Sequence, residues 1–315
     1  MPTFTMMVGL PGSGKSTIAH TFFLDDVVYS SDAIRAELFG DERDMDHNDM
    51  VFDTLHQRIF DRLSAGQDVV YDATNINYKR RMQFLRRVRA LDHSIITYCV
   101  FCHASYDVCL ARNADRQNPV PESAIHDMYT KFDIPMYAEG WDHINVYDTA
   151  YAEMSVDPSM THHRIDQLLC RLSKIQQDNP HHDYTIGQHC VEAYQQLLLR
   201  YDADRITQTL SRATLLHDIG KEKTKVFQDA KGNPSDIAHY YNHERVGAYD
   251  SFLYTADMDD KDRLYVAALI RWHMWPFVVK RSANQMQTIK KIENLIGSDT
   301  WLDVLMLNRC DVLAH

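Results

Sequence analysis

Short apolar runs alternate with helical spacing through the first half of the chain. Runs rich in β-branched and aromatic residues at 3–8, 27–30, 68–71, 95–101 and 144–147 are separated by amphipathic segments, which predicts βαβ units around a parallel sheet. From about Thr161 onward, apolar positions recur at helical spacing over 165–175, 187–200, 207–216 and 263–272, with histidines at the joints and no strand expected. The stretch 150–159, which contains Asp157-Pro158, has neither period and marks the expected boundary. The pattern thus predicts an α/β domain over 1–155 and an all-α domain over 160–315.

Composition narrows the class. With 315 residues and 45% hydrophobic content, each half can bury a core. Six scattered cysteines and a start on a strand are expected of a cytoplasmic protein with reduced thiols, and no apolar run reaches membrane-spanning length. A net charge of −11 argues against a general nucleic-acid coat. Residues 1–158 nevertheless place six of their 14 Lys/Arg in Lys79, Arg80, Arg81, Arg86, Arg87 and Arg89, either a basic helix that guides one end of a strand or a solvated face. The acidic stretch Asp41, Glu42, Asp44, Asp46 and Asp49 lacks Ca²⁺-loop spacing and reads as a turn and helix start.

Chemistry first enters at Gly9-Leu10-Pro11-Gly12-Ser13-Gly14-Lys15-Ser16-Thr17, directly behind the first apolar run. A glycine-rich loop there aims backbone N–H groups at phosphate oxygens. Lys15 reaches the β/γ-phosphates, and the Ser16 hydroxyl suits Mg²⁺. ATP and Mg²⁺ are the expected ligands. After the second run, Asp32 and Arg35 share a helix face, where a carboxylate can take a proton from an attacking hydroxyl while the arginine grips a phosphate; Asp32 would otherwise simply cap the helix. Asp72, in Asp72-Ala73-Thr74-Asn75, falls where a parallel sheet presents its ligand crevice and can order Mg²⁺. Arg112 and Arg116, one helical turn apart ahead of Val120-Pro121, suit a lid over the transferring phosphoryl group. Cys99-x-x-Cys102 reads as core.

Over most of residues 3–135 these motifs resemble the kinase domain of phage-type polynucleotide 5′-kinases. The resemblance implies Asp32 as general base on a 5′-hydroxyl, Arg35 as a clamp on the acceptor phosphate and Arg116 as stabiliser of the leaving and transferring phosphates.

The second half offers His189, His217-Asp218, His243, His273 and Asp311. Histidine and carboxylate ligands without cysteine suit Mn²⁺, Fe²⁺, Co²⁺, Ni²⁺ or Mg²⁺, and an aspartate can bridge two ions. These residues resemble the HD phosphohydrolase superfamily over roughly 178–315, through Leu215-Leu216-His217-Asp218-Ile219-Gly220-Lys221, His243 to Gly247 and Asn308-Arg309-Cys310-Asp311. The resemblance implies His189, His217, Asp218 and Asp311 as the basic metal set, His243 and His273 for a second ion, and Lys221 as a substrate-phosphate contact. His182 and His239 are open between site and surface, and Trp272 and Trp275 between a stacking platform and helix core.

The two halves together resemble bacterial fusions of an HD domain with a polynucleotide kinase. That implies an end-healing enzyme that phosphorylates 5′-OH ends and removes 2′,3′-cyclic or 3′-phosphates, RNA favoured over DNA, with an RNA ligase acting afterwards. The alternatives are a small-molecule or nucleoside kinase joined to a nucleotidase, and an HD hydrolase gated by ATP.

Overall fold

A computed structural model describes residues 1–42, 44, 46–150, 157–180 and 183–314. The chain divides into two compact units, Met1–Met128 with Pro135–Ser155, and Tyr129–Ile134 with Val156–His315. The expected boundary falls largely at 151–156, outside the described residues. No helix among the described residues is long and apolar enough to cross a membrane.

The first unit is a parallel-sheet α/β fold. Strands β1 (Thr3–Val8), β2 (Val28–Ser30), β3 (Val69–Asp72), β4 (Ile96–His103) and β5 (His143–Asp148) pair in the order β2-β3-β1-β4-β5, all parallel. Helices α1 (Lys15–Phe22), α2 (Ser31–Phe39), α3 (Asn48–Ser64), α4 (Tyr78–Leu91), α5 (Tyr106–Ala114) and α6 (Glu122–Thr130) make the crossovers. Central β1 and β3 are nearly continuous apolar runs because parallel strands are covered on both faces. Cys99 and Cys102 are buried in β4, as core.

Two members of the basic segment on α4, Arg81 and Arg89, are structural, whereas Lys79, Arg80, Arg86 and Arg87 are exposed, so the alternatives of a strand guide and a solvated face rest on those four. Arg81 is fully buried and meets Glu139 through two bonds, Nε–Oε2 at 2.8 Å and Nη2–Oε1 at 2.6 Å. Arg89 donates to Asp142 Oδ2 at 2.6 Å and to the Ile95 carbonyl at 2.7 Å, and Arg87 lies 4.4 Å over the Phe60 ring. Long cationic side chains here cover apolar surface and tie the helix to the sheet.

His56 packs edge-on to Phe84 at 4.9 Å and bonds the Tyr71 hydroxyl at 3.2 Å. Burial, aided by the charge of Arg87, pushes its pKa from 6.5 down to about 4. An unfolded chain binds that proton below pH 6.5 while the fold refuses it until about pH 4, so stability falls as pH drops through this window. His56→Phe is expected to flatten the pH dependence of the unfolding midpoint between pH 7 and 5 relative to wild type; parallel curves would refute the assignment.

The second unit is mainly helical: α7 (Thr161–Leu172), α8 (Ile186–Arg200), α9 (Gln208–Leu216), α10 (Lys221–Thr224), α11 (His243–Asp250), α12 (Asp260–Trp272), α13 (Trp275–Arg281), α14 (Gln285–Ile296) and α15 (Ser298–Leu313). It is not all-α as expected. An antiparallel hairpin joins β6 (Lys225–Gln228) to β7 (Pro234–Tyr240), its turn held by Asp229 Oδ1 accepting from the N–H groups of Lys231 and Asn233 at 2.8 Å. The hairpin has one fully buried apolar residue, Ala238, so it lacks the alternation that marks a half-buried strand.

Candidate active sites

The phosphate loop joins β1 to α1. Gly12 has φ 79°, and a Cβ there would lie 2.3 Å from the Cys109 carbonyl oxygen, so only glycine fits. Loop carbonyls are braced from outside: Thr149 Oγ1 donates to Ser13 O at 2.8 Å, and Arg112 donates to Gly12 O at 3.3 Å and to Thr149 O at 2.8 Å. Arg112 therefore shapes the loop and is not a free lid residue. Helix α5 ends at Ala114 because Asn113 turns its side chain to both the N–H and the carbonyl of Val120, at 2.9 Å each. Arg116 lies beyond that end, exposed, so the expected one-turn pair with Arg112 does not form.

Lys15 is buried and donates to the Leu10 carbonyl at 2.8 Å. Burial lowers its pKa, against the opposing charge of Asp72 and, more weakly, of Asp32. Ser16 Oγ donates to Asp72 Oδ2 at 2.8 Å across 56 residues of sequence, the hydroxyl–carboxylate pair that suits Mg²⁺. Ser30, not Asp32, caps α2 by accepting from the Asp32 N–H. The Asp32 carboxylate is thus exposed and held by Arg35 Nη1 at 2.7 Å. Arg35 is buried, also donates to Asn48 Oδ1 at 2.8 Å, and keeps its Nε without a hydrogen-bond partner among the described residues.

In the second unit, His189, His217, Asp218, His243, His273 and Asp311 come together as two overlapping ligand sets. His189, His217, Asp218 and Asp311 have ligand atoms within 4.8 Å of one another, as do Asp218, His243 and His273. One local device aims three of the rings. His217, His243 and His273 each bond through Nδ1 to the carbonyl three residues back: Thr214 at 2.8 Å, Tyr240 at 2.8 Å and Ile270 at 2.6 Å. His189 Nδ1 bonds the Ala314 carbonyl at 2.8 Å. A carbonyl only accepts, so each Nδ1 carries a proton and each Nε2 faces inward. His217 and His273 also terminate α9 and α12, whose negative ends favour a cation.

Asp218 divides its two oxygens between the sets. Oδ2 lies 3.2 Å from His189 Nε2 and 3.5 Å from His217 Nε2, and Oδ1 lies 3.4 Å from His243 Nε2 and 3.8 Å from His273 Nε2. Oδ1 is buried without a hydrogen-bond partner among the described residues, an orphaned acceptor that a cation would satisfy. Gly220 permits the approach, since a Cβ there would meet the His243 carbonyl oxygen at 2.1 Å. Burial works against a proton on His189, but hydrogen bonds to Asp218 and Asp311 outweigh it and raise its pKa to about 9. Burial, with the neighbouring His243 and His217, pulls His273 down to about 4 and keeps it neutral.

Lys221, expected at a substrate phosphate, is instead buried, 2.6 Å from Asp218 Oδ2 and 2.8 Å from Gln177 Oε1. Trp272 is core, so it is no stacking platform. His239, on β7, stacks on Tyr241 and belongs to neither ligand set, and His182 lies outside the described residues. Sequence reasoning missed Gln177 and Thr149, whose partners are distant in the chain, and no local signal marks either.

A phosphate loop opening α1 behind the central strand of a parallel sheet is the arrangement of P-loop kinase domains, and the first unit has that fold. Residues 4–135 match the model of a family described as AAA domain. The chain is 27% identical over 144 residues to an L-seryl-tRNA(Sec) kinase of Methanococcus maripaludis, covering 44% of this chain and 55% of that protein, so it spans about half the relative's length. A solved structure from Chloroflexus aurantiacus, provisionally described as a kinase, aligns with 54% of this chain and 97% of its own at 19% identity and a TM-score of 0.41.

Proposed function

We propose that the chain is a two-site phosphoryl-transfer enzyme acting on nucleic-acid ends, an ATP-dependent 5′-OH kinase joined to an HD-type metal phosphohydrolase. The observation that carries the reading is the pairing of two chemically opposite sites in one chain: a cradle suited to donating a phosphoryl group and an aspartate-bridged histidine site suited to removing one. Together they yield the 5′-phosphate and 3′-hydroxyl that a ligase joins.

In the kinase unit, Lys15 and the loop N–H groups hold the ATP phosphates, and Ser16 and Asp72 would hold Mg²⁺. Asp32, exposed and oriented by Arg35, accepts the proton as the acceptor oxygen bonds to the γ-phosphorus and ADP departs. Its charge reaches Lys15, which puts base and cradle in one field. Arg116, exposed beyond the end of α5, would supply a cation to the transferring group.

Divalent ions such as Mn²⁺, Ni²⁺, Co²⁺ or Fe²⁺, when bound by the second unit, supply Lewis acidity toward the phosphoester and lower the pKa of attacking water. His189, His217 and Asp311 would hold one position and His243 and His273 the other, with Asp218 shared by both sets. Lys221 orients Asp218 and supplies a cationic donor beside it.

The overall acidity and the structural use of Arg81 and Arg89 suit recognition of an end rather than of a long strand. The likeness to a seryl-tRNA kinase favours a second reading for the acceptor, a hydroxyl carried on a charged tRNA. Equimolar 5′-OH RNA, 5′-OH DNA, free nucleoside and seryl-tRNA, each incubated with γ-labelled ATP, should show the highest kcat/KM on 5′-OH RNA. Label confined to the nucleoside or to seryl-tRNA would replace the acceptor.

A further inference from the structure

The second ion position requires α11 and α12 to meet at a fixed distance, because His243 opens α11 and His273 ends α12 with their Nε2 atoms 3.4 Å apart. A six-residue segment from the first half of the sequence, Tyr129–Ile134, is built into the same unit beside these helices. Asp133, 2% exposed, takes Arg245 Nη1 at 2.8 Å and Arg271 Nε at 3.1 Å on one oxygen. Arg245 lies two residues after His243, and Arg271 two residues before His273. Asp133 is therefore a buried carboxylate bridging the two ligand-bearing helices next to their ligands. Without it two cations would face each other across the helix pair, with Glu244 left to meet Arg271 at 3.6 Å.

The rest of the segment fastens the length of α11. Arg245 also donates to the Lys131 carbonyl at 2.8 Å. The Tyr129 hydroxyl donates to Asp250 Oδ2 at 2.7 Å, and the Phe132 ring packs edge-on to Tyr249 at 4.9 Å. The first ion position draws on different elements: His189 on α8, His217 after α9 and Asp311 on α15.

We propose that Tyr129–Ile134 is a clasp that positions the second ion, with Asp133 as its central positioning residue. Sequence belonging to the kinase half thereby sets the geometry of the hydrolase site; the inference rests on the two-ion reading of that site. Groups that orient metal ligands from behind are worth about 10–100-fold in metal affinity.

The test is Mn²⁺ titration of the full chain, followed by metal analysis and electron paramagnetic resonance. Wild type should bind two ions per chain with the spectrum of a coupled pair. Asp133→Ala and Arg245→Met should keep the first ion, show an uncoupled spectrum and bind the second about ten-fold or more weakly. If Asp133→Ala fails to fold, Arg245→Met decides alone, since it leaves Arg271 on Asp133. Two ions bound with unchanged affinity in a folded variant would overturn the clasp. A wild type that binds one ion or none would refute the two-ion reading itself.

Discussion

Asp218→Asn is expected to abolish binding at both ion positions and to lower phosphoester hydrolysis about a thousand-fold or more, with kinase turnover unchanged. Asp218 is the residue shared by both ligand sets, and each of its oxygens serves a different set. An amide offers one neutral oxygen where two charged ones stood, so the second set loses its carboxylate and the first keeps Asp311 as its remaining anionic member. Removing a single group that stabilises transition-state charge already costs about 10²–10³ in kcat. Asparagine keeps an acceptor for Lys221 and close to the native shape, which spares most of the cost of stranding a buried lysine. Metal analysis of purified protein beside a hydrolysis assay measures both effects. Full metal content with an unaltered hydrolytic rate would exclude Asp218 as the bridging ligand.

The counterpart in the first unit is Asp32→Asn. Kinase turnover should fall by about 10²–10⁴ while ATP affinity stays within a few-fold. The amide that replaces the carboxylate still offers an oxygen to Arg35, and α2 keeps its Ser30 cap, so positioning is preserved and the proton acceptor alone is lost. Lys15→Ala, by contrast, should weaken ATP binding itself, because its ammonium, held within the loop at the Leu10 carbonyl, would meet the phosphates of a bound nucleotide. Hydrolysis by the second unit should be unchanged in both variants. An Asp32→Asn protein with wild-type kcat would show that the carboxylate only orients Arg35.

These two sites differ in how far the sequence exposes them. The phosphate loop is local, nine consecutive residues after a strand, and the strands around it carry continuous apolar runs because a parallel sheet buries both faces. The histidine–aspartate set is spread over more than 120 residues, from His189 to Asp311; His217, Asp218, His243 and Asp311 stand in local motifs, whereas His189 and His273 enter only through the resemblance, and the geometry of the set is not readable. Nothing in the sequence shows that three rings would each hand Nδ1 to the carbonyl three residues back, or that Asp218 would split its oxygens. The misread arginines share one physical source, a role that depends on a partner distant in the chain. Arg81 looks like part of a solvated basic face until Glu139 meets it, and Arg112 looks like a lid until Thr149 and Gly12 take its guanidinium. Lys221 looks like a phosphate contact until Asp218 and Gln177 enclose it. The β6–β7 hairpin escapes for another reason, being exposed on most of its positions and closed by a turn rather than by a buried apolar face.

The most direct test of the account is to give one RNA both kinds of end, a 5′-hydroxyl and a 2′,3′-cyclic phosphate, with γ-labelled ATP, Mg²⁺ and Mn²⁺ or Ni²⁺, and to resolve both termini of the product. Wild type should label the 5′ end and clear the 3′-terminal phosphate. Asp32→Asn should lose only the first change and Asp218→Asn only the second. An RNA left untouched at both ends by wild-type protein that demonstrably binds ATP and metal would contradict the assignment to nucleic-acid ends.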